Sequence, residues 1–286
     1  MRTLLALLLL ATPALAQHKM NSSTFLSNPE SIATDGKYLY IADVGKGGNP
    51  TAKDTNGIIW RTDLSGNKAE RFAEGLHAPK GAVIAGKILF VTDIDRVKGY
   101  DLATGKELYN IDFTAENTSF LNDLAVQDNN TLYVSAMDIN KLFRIRLSQQ
   151  SAIEAVPVTG KLQGLNGLFV DNSSGRLYIC TFGSMEKSDG EIGYISLKEP
   201  NPAFTRVSGR PGRYDGIALL DGYLLVSDWV AFEKSGEIIK VKLSDGSSAV
   251  LNKEKIAGPA DFTLDAKGDI IVPAMMTGDI LHCASR

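Results

Sequence analysis

The sequence is poor in the residues that build zinc sites, with only three histidines and two cysteines among 286 residues. None of them forms a pair with zinc-ligand spacing. Charge of one sign is also lacking, because 30 lysines and arginines stand against 33 aspartates and glutamates. No basic stripe is present, so we expect no nucleic-acid partner. After the N-terminus no segment approaches the roughly 20 apolar residues of a transmembrane helix, so we expect no membrane span.

The N-terminal segment MRTLLALLLLATPALA has the layout of a secretory signal peptide. Arg2 supplies the positive start, residues 4–10 are apolar, and residues 14–16 form a small-x-small cleavage site. The apolar stretch is too short to span a bilayer, and no cysteine follows it to carry a lipid. We expect a signal peptide over residues 1–16 and a single exported domain over residues 17–286, located in the periplasm or secreted.

One phrase occurs six times in the rest of the chain: a turn with a small or polar pair, an apolar run, a second turn and a run of β-branched residues. The copies read NPESIATDGKYLYIAD, APKGAVIAGKILFVTD, LNDLAVQDNNTLYVSAMD, LNGLFVDNSSGRLYICTF, YDGIALLDGYLLVSDW and PADFTLDAKGDIIVPAM. A β repeat of roughly 40 to 50 residues is typical of a propeller. A third strand follows each copy and a fourth follows five of them, which leaves the N-terminal segment STFLSNPE to complete the sixth. The sequence therefore predicts an all-β, six-bladed β-propeller closed by the N-terminal strand.

The two cysteines, Cys180 and Cys283, belong to the fourth and sixth repeats. Those blades are not neighbours, and bridged cysteines need Cα atoms within about 7 Å of each other. We therefore expect two buried thiols.

The residue that opens each first strand should lie at one mouth of the central channel. These positions hold Glu30, Lys80, Asn122, Asn166, Asp215 and Ala260. Four of the six are oxygen donors of the kind that Ca²⁺ prefers, and a bound cation with an open position can polarise a carbonyl group. The alternative is that Asn-Asp, Asn-Gly and Asp-Gly are ordinary turn dipeptides.

The loops after the second strands should reach the same face. They contribute Asp43, Asp93, Met137, Phe182, Trp229 and Met275, a rim that suits a small organic ligand. We expect Phe182 and Trp229 to contact the substrate. The two long loops, residues 45–57 and 230–236, are candidate lids.

The chain resembles the senescence-marker-protein (regucalcin), gluconolactonase and luciferin-regenerating-enzyme family in its short motifs, which are Glu30, Asn122-Asp123, Asn166-Gly167 and Asp215-Gly216. It is similar, more distantly, to paraoxonases and strictosidine-synthase-like proteins. The resemblance implies that Glu30, Asn166 and Asp215 hold a divalent metal, with Ca²⁺ the expected ion, and that Asn122 contacts metal or substrate. It also implies that Asp215 is the catalytic base of a metal-dependent lactone or ester hydrolase.

Two positions depart from that family pattern. Phe120 replaces an arginine that is common in sugar-lactone hydrolases, which favours a more apolar lactone. Lys80 replaces the histidine of the paraoxonases and is a candidate substrate-binding residue. Its ammonium either pairs with Glu30 or Asp215 and stabilises a developing negative charge, or partly replaces the metal charge. A third reading places it in solvent, as for most lysines.

Two functions follow from these patterns. The first is a hydrolase in which the metal polarises a lactone or ester carbonyl while Asp215 or a metal-bound water supplies the nucleophile. The second is a non-catalytic propeller that binds a ligand or a protein partner and keeps the fold. A fold alone does not choose between them.

Overall fold

The computed structural model describes residues 17–20 and 25–285, and these residues form six four-stranded antiparallel sheets. The only helical element among them is a short 3₁₀ turn, Thr114–Glu116. No helix in the described part of the chain is long and apolar enough to cross a membrane. The all-β six-bladed propeller is therefore confirmed. The predicted signal peptide lies outside the described residues.

The strands run in chain order from blade to blade. Blades 1 and 2 contain β2 (Pro29–Thr34), β3 (Tyr38–Asp43), β4 (Gly57–Asp63), β5 (Glu70–Leu76), β6 (Pro79–Ala85), β7 (Ile88–Asp93), β8 (Arg96–Asp101) and β9 (Glu107–Asp112). Blades 3 and 4 contain β10 (Leu121–Asp128), β11 (Thr131–Ala136), β12 (Lys141–Arg146), β13 (Ala152–Val156), β14 (Leu165–Asp171), β15 (Arg176–Thr181), β16 (Gly190–Ser196) and β17 (Thr205–Gly212). Blades 5 and 6 contain β18 (Tyr214–Leu220), β19 (Tyr223–Asp228), β20 (Glu237–Lys242), β21 (Ser248–Val250), β22 (Thr263–Leu264), β23 (Ile270–Ala274), β24 (Asp279–Cys283) and β1 (Gln17–Lys19).

The N-terminal strand closes the ring, as the repeat count predicts. Blade 6 has the order β1-β24-β23-β22, and β1 pairs antiparallel with β24. The closing strand is Gln17–Lys19, however, and does not lie within STFLSNPE. The end of that segment is held elsewhere, because the backbone amides of Ser27 and Asn28 donate to the carboxylate of Asp43 at 2.8 Å each. It therefore serves as the connection into blade 1.

Packing between neighbouring blades continues around the whole ring. The cluster around Phe90 and Phe143, for example, draws its buried side chains from blades 2 and 3. The cluster that contains Met20, Ile32 and Ile280 joins blade 6 to blade 1. Cys180 and Cys283 are both buried and unbridged, as expected. Among the described residues, the closed ring leaves only the outer strand of each blade as an exposed edge, which limits edge-to-edge aggregation.

Glycines allow the first strands to approach one another near the axis. A Cβ atom on Gly167 would lie 2.1 Å from the carbonyl oxygen of Asp215, and one on Gly81 would lie 2.5 Å from the Cα of Asp123. The Asn166-Gly167 and Asp215-Gly216 pairs lie within β14 and β18, not in turns. The alternative reading of these pairs as turn dipeptides is therefore wrong.

Candidate functional site

The side chains predicted to form the site lie around one cavity at one end of the central channel. The cavity has a volume of about 330 Å³. Its lining includes every residue that the sequence nominated for metal or substrate, namely Glu30, Lys80, Phe120, Asn122, Asn166, Phe182, Asp215 and Trp229. The first strand of each blade or the segment before it delivers the polar members, and the loops after the second strands deliver Phe182 and Trp229. The residues that share one position in the repeat therefore do lie around a single cavity.

Three of the predicted metal ligands each present a buried oxygen atom that has no hydrogen-bond partner. These atoms are Glu30 Oε2, Asn166 Oδ1 and Asp215 Oδ1. The other polar atoms of two of these side chains are fixed: Asn166 Nδ2 donates to the carbonyl of Tyr214 at 3.2 Å, and Trp229 Nε1 donates to Asp215 Oδ2 at 2.7 Å. A buried acceptor without a partner costs about 1–3 kcal/mol. A cation would satisfy all three atoms.

Asn122 is the fourth predicted ligand and also lies on the cavity wall. Its amide nitrogen contacts the sulfur of Met137 at 3.5 Å. Because the nitrogen is used in this contact, the carboxamide oxygen is the atom that Asn122 has left to offer a cation or a substrate. Two carboxylates and two amides form a hard oxygen set that fits Ca²⁺ better than a soft metal.

The channel holds more buried negative charge than its one lysine can balance. Burial raises the pKa of Glu30 well above its usual range, and Asp215 adds to the effect. Burial, with the charge of Asp261, raises the pKa of Asp215 to about 7. Below this layer lie Asp123, which is buried, and Asp261, which is partly buried, and desolvation raises the pKa of Asp261 to about 6. Desolvation and repulsion between the carboxylates both disfavour their charged forms, and a bound divalent cation would offset both effects, so the residues present fit such a cation.

Lys80 points inward, which excludes the reading that placed its ammonium in solvent. The side chain is 1% exposed, and its ammonium donates a hydrogen bond to the carbonyl of Ala78 at 2.8 Å. The nitrogen also lies 5.0 Å from the centre of the Phe120 ring. No described carboxylate is near enough to form a direct ion pair with it, although Glu30 interacts with it electrostatically. Burial lowers the pKa of Lys80 to about 8.

Two carboxylates expected on the rim have a structural role instead. Asp43 accepts hydrogen bonds from the backbone amides of Ser27, Asn28 and Gly45. Asp93 accepts them from the backbone amides of His77 and Ala78. Each aspartate therefore ties the segment that enters its blade to the end of the second strand. The prediction that Asp43 and Asp93 belong to the rim of the cavity is wrong, because their oxygens accept hydrogen bonds from backbone amides instead.

The rim is more apolar than the sequence pattern indicated. Met137, Phe182, Trp229 and Met275 line it as predicted, and both candidate lid loops contribute to it. The pattern missed further members, which are Asn28, Val44, Met185, Phe232 and Met276. Met185 and Phe232 are largely exposed at the mouth. They lie outside the repeated phrase, so repeat phase gave no signal for them.

The lower carboxylate layer was also missed as a feature of the channel. Asp123 and Asp261 each lie one residue after the position that opens the first strand of its blade, which is Asn122 in blade 3 and Ala260 in blade 6. Asp261 accepts a hydrogen bond from the hydroxyl of Ser31 at 2.5 Å, and Asp123 accepts one from the backbone amide of Leu168 at 2.7 Å.

Comparison with known proteins supports the fold. No family model matches the chain, and no curated protein matches it in sequence. A solved streptogramin B lyase structure is similar at TM-score 0.61 and 15% identity, covering 94% of this chain and 97% of that one. Virginiamycin B lyase from Staphylococcus aureus is similar at TM-score 0.61 and 16% identity, covering 95% and 99%. A protein of unknown function from Bacteroides thetaiotaomicron is similar at TM-score 0.69 and 12% identity, covering 94% and 76%. At these identities the likeness shows the propeller fold.

Proposed function

We propose that this propeller is an exported, divalent-metal-dependent hydrolase of an apolar lactone or ester, related to the regucalcin and gluconolactonase family. The observation that carries the proposal is the set of three unpartnered buried oxygens, on Glu30, Asn166 and Asp215, facing one cavity. Ca²⁺ is the cation that best suits these donors. Export rests on the signal-peptide pattern of residues 1–16.

The chain's own residues divide the chemistry among them. A bound divalent cation would supply Lewis acidity toward the substrate carbonyl. Asp215, held by Trp229, is placed to accept a proton from the attacking water. Lys80 brings a fixed positive charge to the cavity wall, where it can stabilise negative charge that develops on the substrate oxygen. The buried aromatic rings of Phe182 and Trp229 present an apolar surface to the cavity and would limit the water that reaches a bound substrate.

The substrate class follows from the lining. The cavity has few polar groups apart from the proposed ligands and Lys80, and its rim is built from methionine, phenylalanine and tryptophan side chains. Phe120 occupies the wall beside Lys80. A polar sugar acid would find few hydrogen-bond partners there, whereas an alkyl or aryl group would bury apolar surface. We therefore expect apolar lactones and aryl esters to be better substrates than a sugar lactone.

The test is turnover by EDTA-treated protein against a panel of a sugar lactone, an alkyl lactone and an aryl ester. Each reaction is run with Ca²⁺, Mn²⁺, Zn²⁺ or no added metal, beside Asp215→Asn as the matched variant. We expect Ca²⁺ to restore turnover of the apolar substrates in the wild type and not in the variant. Hydrolysis in ¹⁸O-labelled water should place the label in the product acid. Ring opening without label would instead indicate elimination, the reaction class named for the two lyases of similar fold.

The same experiment distinguishes the alternative of a binding propeller. Ca²⁺-dependent thermal stabilisation without turnover of any panel member would support a site that keeps the metal and binds a ligand or a protein partner. Absence of any response to metal would refute the metal site itself. The buried Lys80 and the apolar Phe120 are the features that favour this alternative.

A further inference from the structure

A second group of metal-ligand side chains lies on blade 6, on the surface of the ring. Asp265 and Asp269 belong to the turn between β22 and β23, and His282 projects from β24. Each of the three side chains has one potential ligand atom that lies within 4.8 Å of the corresponding atoms of the other two. His282 Nε2 is 3.1 Å from Asp265 Oδ2. All three side chains are partly buried.

The two carboxylates are oriented by the backbone. Asp265 Oδ1 accepts hydrogen bonds from the amides of Lys267 and Asp269, at 2.8 and 2.9 Å. Asp269 Oδ1 accepts one from the amide of Ser285 at 3.1 Å. These contacts leave Asp269 Oδ2 for a ligand, while Asp265 Oδ2 is the atom that contacts His282 Nε2, so a metal would take the place of the proton between those two atoms. Such outer contacts commonly fix metal-binding side chains in place.

A second imidazole stands next to this group. His18 is the cross-strand partner of His282 in the β1–β24 pairing, and the two rings lie 4.9 Å apart. Both histidines line a surface pocket of about 290 Å³ that is open to a solute. Two imidazoles and two carboxylates form the donor set of a transition-metal site, in contrast to the all-oxygen set of the channel.

This position coincides with two of the shortest strand pairings of the ring. The closing strand β1 pairs with β24 through only three residues, and β22 pairs with β23 through only two. We propose that Asp265, Asp269 and His282 bind a divalent transition metal such as Zn²⁺, and that His18 joins them. The metal would then link the closing strand, β24 and the β22–β23 turn, and stabilise ring closure. This site is independent of the proposed hydrolase function.

The first test measures Zn²⁺ binding by calorimetry in the presence of saturating Ca²⁺, which occupies the channel. We expect one Zn²⁺ per chain in the wild type and at least tenfold weaker binding in Asp269→Asn and in His282→Asn. The matched controls are His77→Asn, the remaining histidine, and Asp215→Asn in the channel; both should bind Zn²⁺ as the wild type does. Wild-type protein that binds no Zn²⁺, or blade 6 variants that bind it normally, would overturn the proposal.

The second test concerns ring closure. Zn²⁺ at a hundredfold excess over its Kd should raise the Tm by about 5 °C, since a ligand of the folded state stabilises it by mass action. In His18→Asn the Tm rise should shrink, and the visible spectrum of bound Co²⁺ should change because one nitrogen ligand is lost. An unchanged Co²⁺ spectrum and an unchanged Tm rise in His18→Asn would overturn the link to the closing strand. Far-UV circular dichroism without metal checks that each variant is folded.

Discussion

The stability of the metal-free protein should depend on pH through the buried carboxylate of Asp215. Burial raises the pKa of this group from 3.8 to about 7 in the folded protein, with Asp261 contributing. The folded state therefore favours the protonated carboxyl, while the unfolded chain ionises above about pH 4. A difference of this size corresponds to about 4 kcal/mol, at about 1.4 kcal/mol for each pKa unit. The destabilisation begins as the pH rises above about 4 and is complete above about 7.

The assay is urea unfolding between pH 4.5 and 8, in EDTA and in saturating Ca²⁺, for the wild type and Asp215→Asn. Asparagine can still accept the hydrogen bond of Trp229 but does not ionise. In EDTA the wild type should lose about 3 kcal/mol relative to the variant as the pH rises from 4.5 to 7, with little further change up to pH 8. Ca²⁺ should remove that loss in the wild type only, because the cation supplies the missing counter-charge. A wild-type profile in EDTA that is parallel to that of the variant would refute the reasoning.

Three further variants test the site and its scaffold. Trp229→Phe removes the indole N–H that donates to Asp215 Oδ2 at 2.7 Å, and it should weaken Ca²⁺ binding about 10- to 100-fold in a calcium titration. The control is Trp60→Phe, which should leave Ca²⁺ binding unchanged because the Trp60 indole nitrogen has no hydrogen-bond partner. Gly167→Ala should lower the free energy of unfolding, measured in urea, by about 1–3 kcal/mol because the new Cβ would clash with the carbonyl oxygen of Asp215. The control is Gly209→Ala, whose Cβ would have no neighbour within 4 Å and which should lower the free energy of unfolding much less. Lys80→Met should raise the Ca²⁺ affinity about tenfold by removing a like charge and should lower kcat; an unchanged affinity would mean that the ammonium does not act on the cation.

The sequence could predict the fold because the repeat is visible at a fixed period. Each copy supplies an inner and a second strand, and their phase also locates the residue that opens the inner strand. Glu30, Asn122, Asn166 and Asp215 could therefore be placed on one cavity without any three-dimensional information. Phase carries this information because successive blades of a closed ring present equivalent positions to the same axis.

The features that the sequence did not predict lie where the repeat is broken. The closing strand has only three residues, too few for a clear alternating pattern, so it could not be located before the structure was known. Met185 and Phe232 come from loops whose paths depend on tertiary contacts. One such contact is the Arg213 guanidinium, which donates to the carbonyls of Ser184 and Met185. No local pattern encodes such a loop position.

The six equivalent positions are chemically unequal, and their order around the ring gives the cavity a direction. The unpartnered oxygens of Glu30, Asn166 and Asp215 come from blades 1, 4 and 5, and blade 6 between them has Ala260 at the equivalent position, which offers no oxygen ligand from its side chain. Lys80 and Phe120 belong to blade 2 and to the segment that enters blade 3, on the other side of the axis. Three of the four predicted cation ligands therefore come from blades 4, 5 and 1, and only the fourth, Asn122, comes from blade 3, next to the blade that carries the ammonium. A substrate carbonyl bound between a cation on these ligands and the Lys80 ammonium would meet positive charge from both, which supports the proposed hydrolase over a non-catalytic propeller.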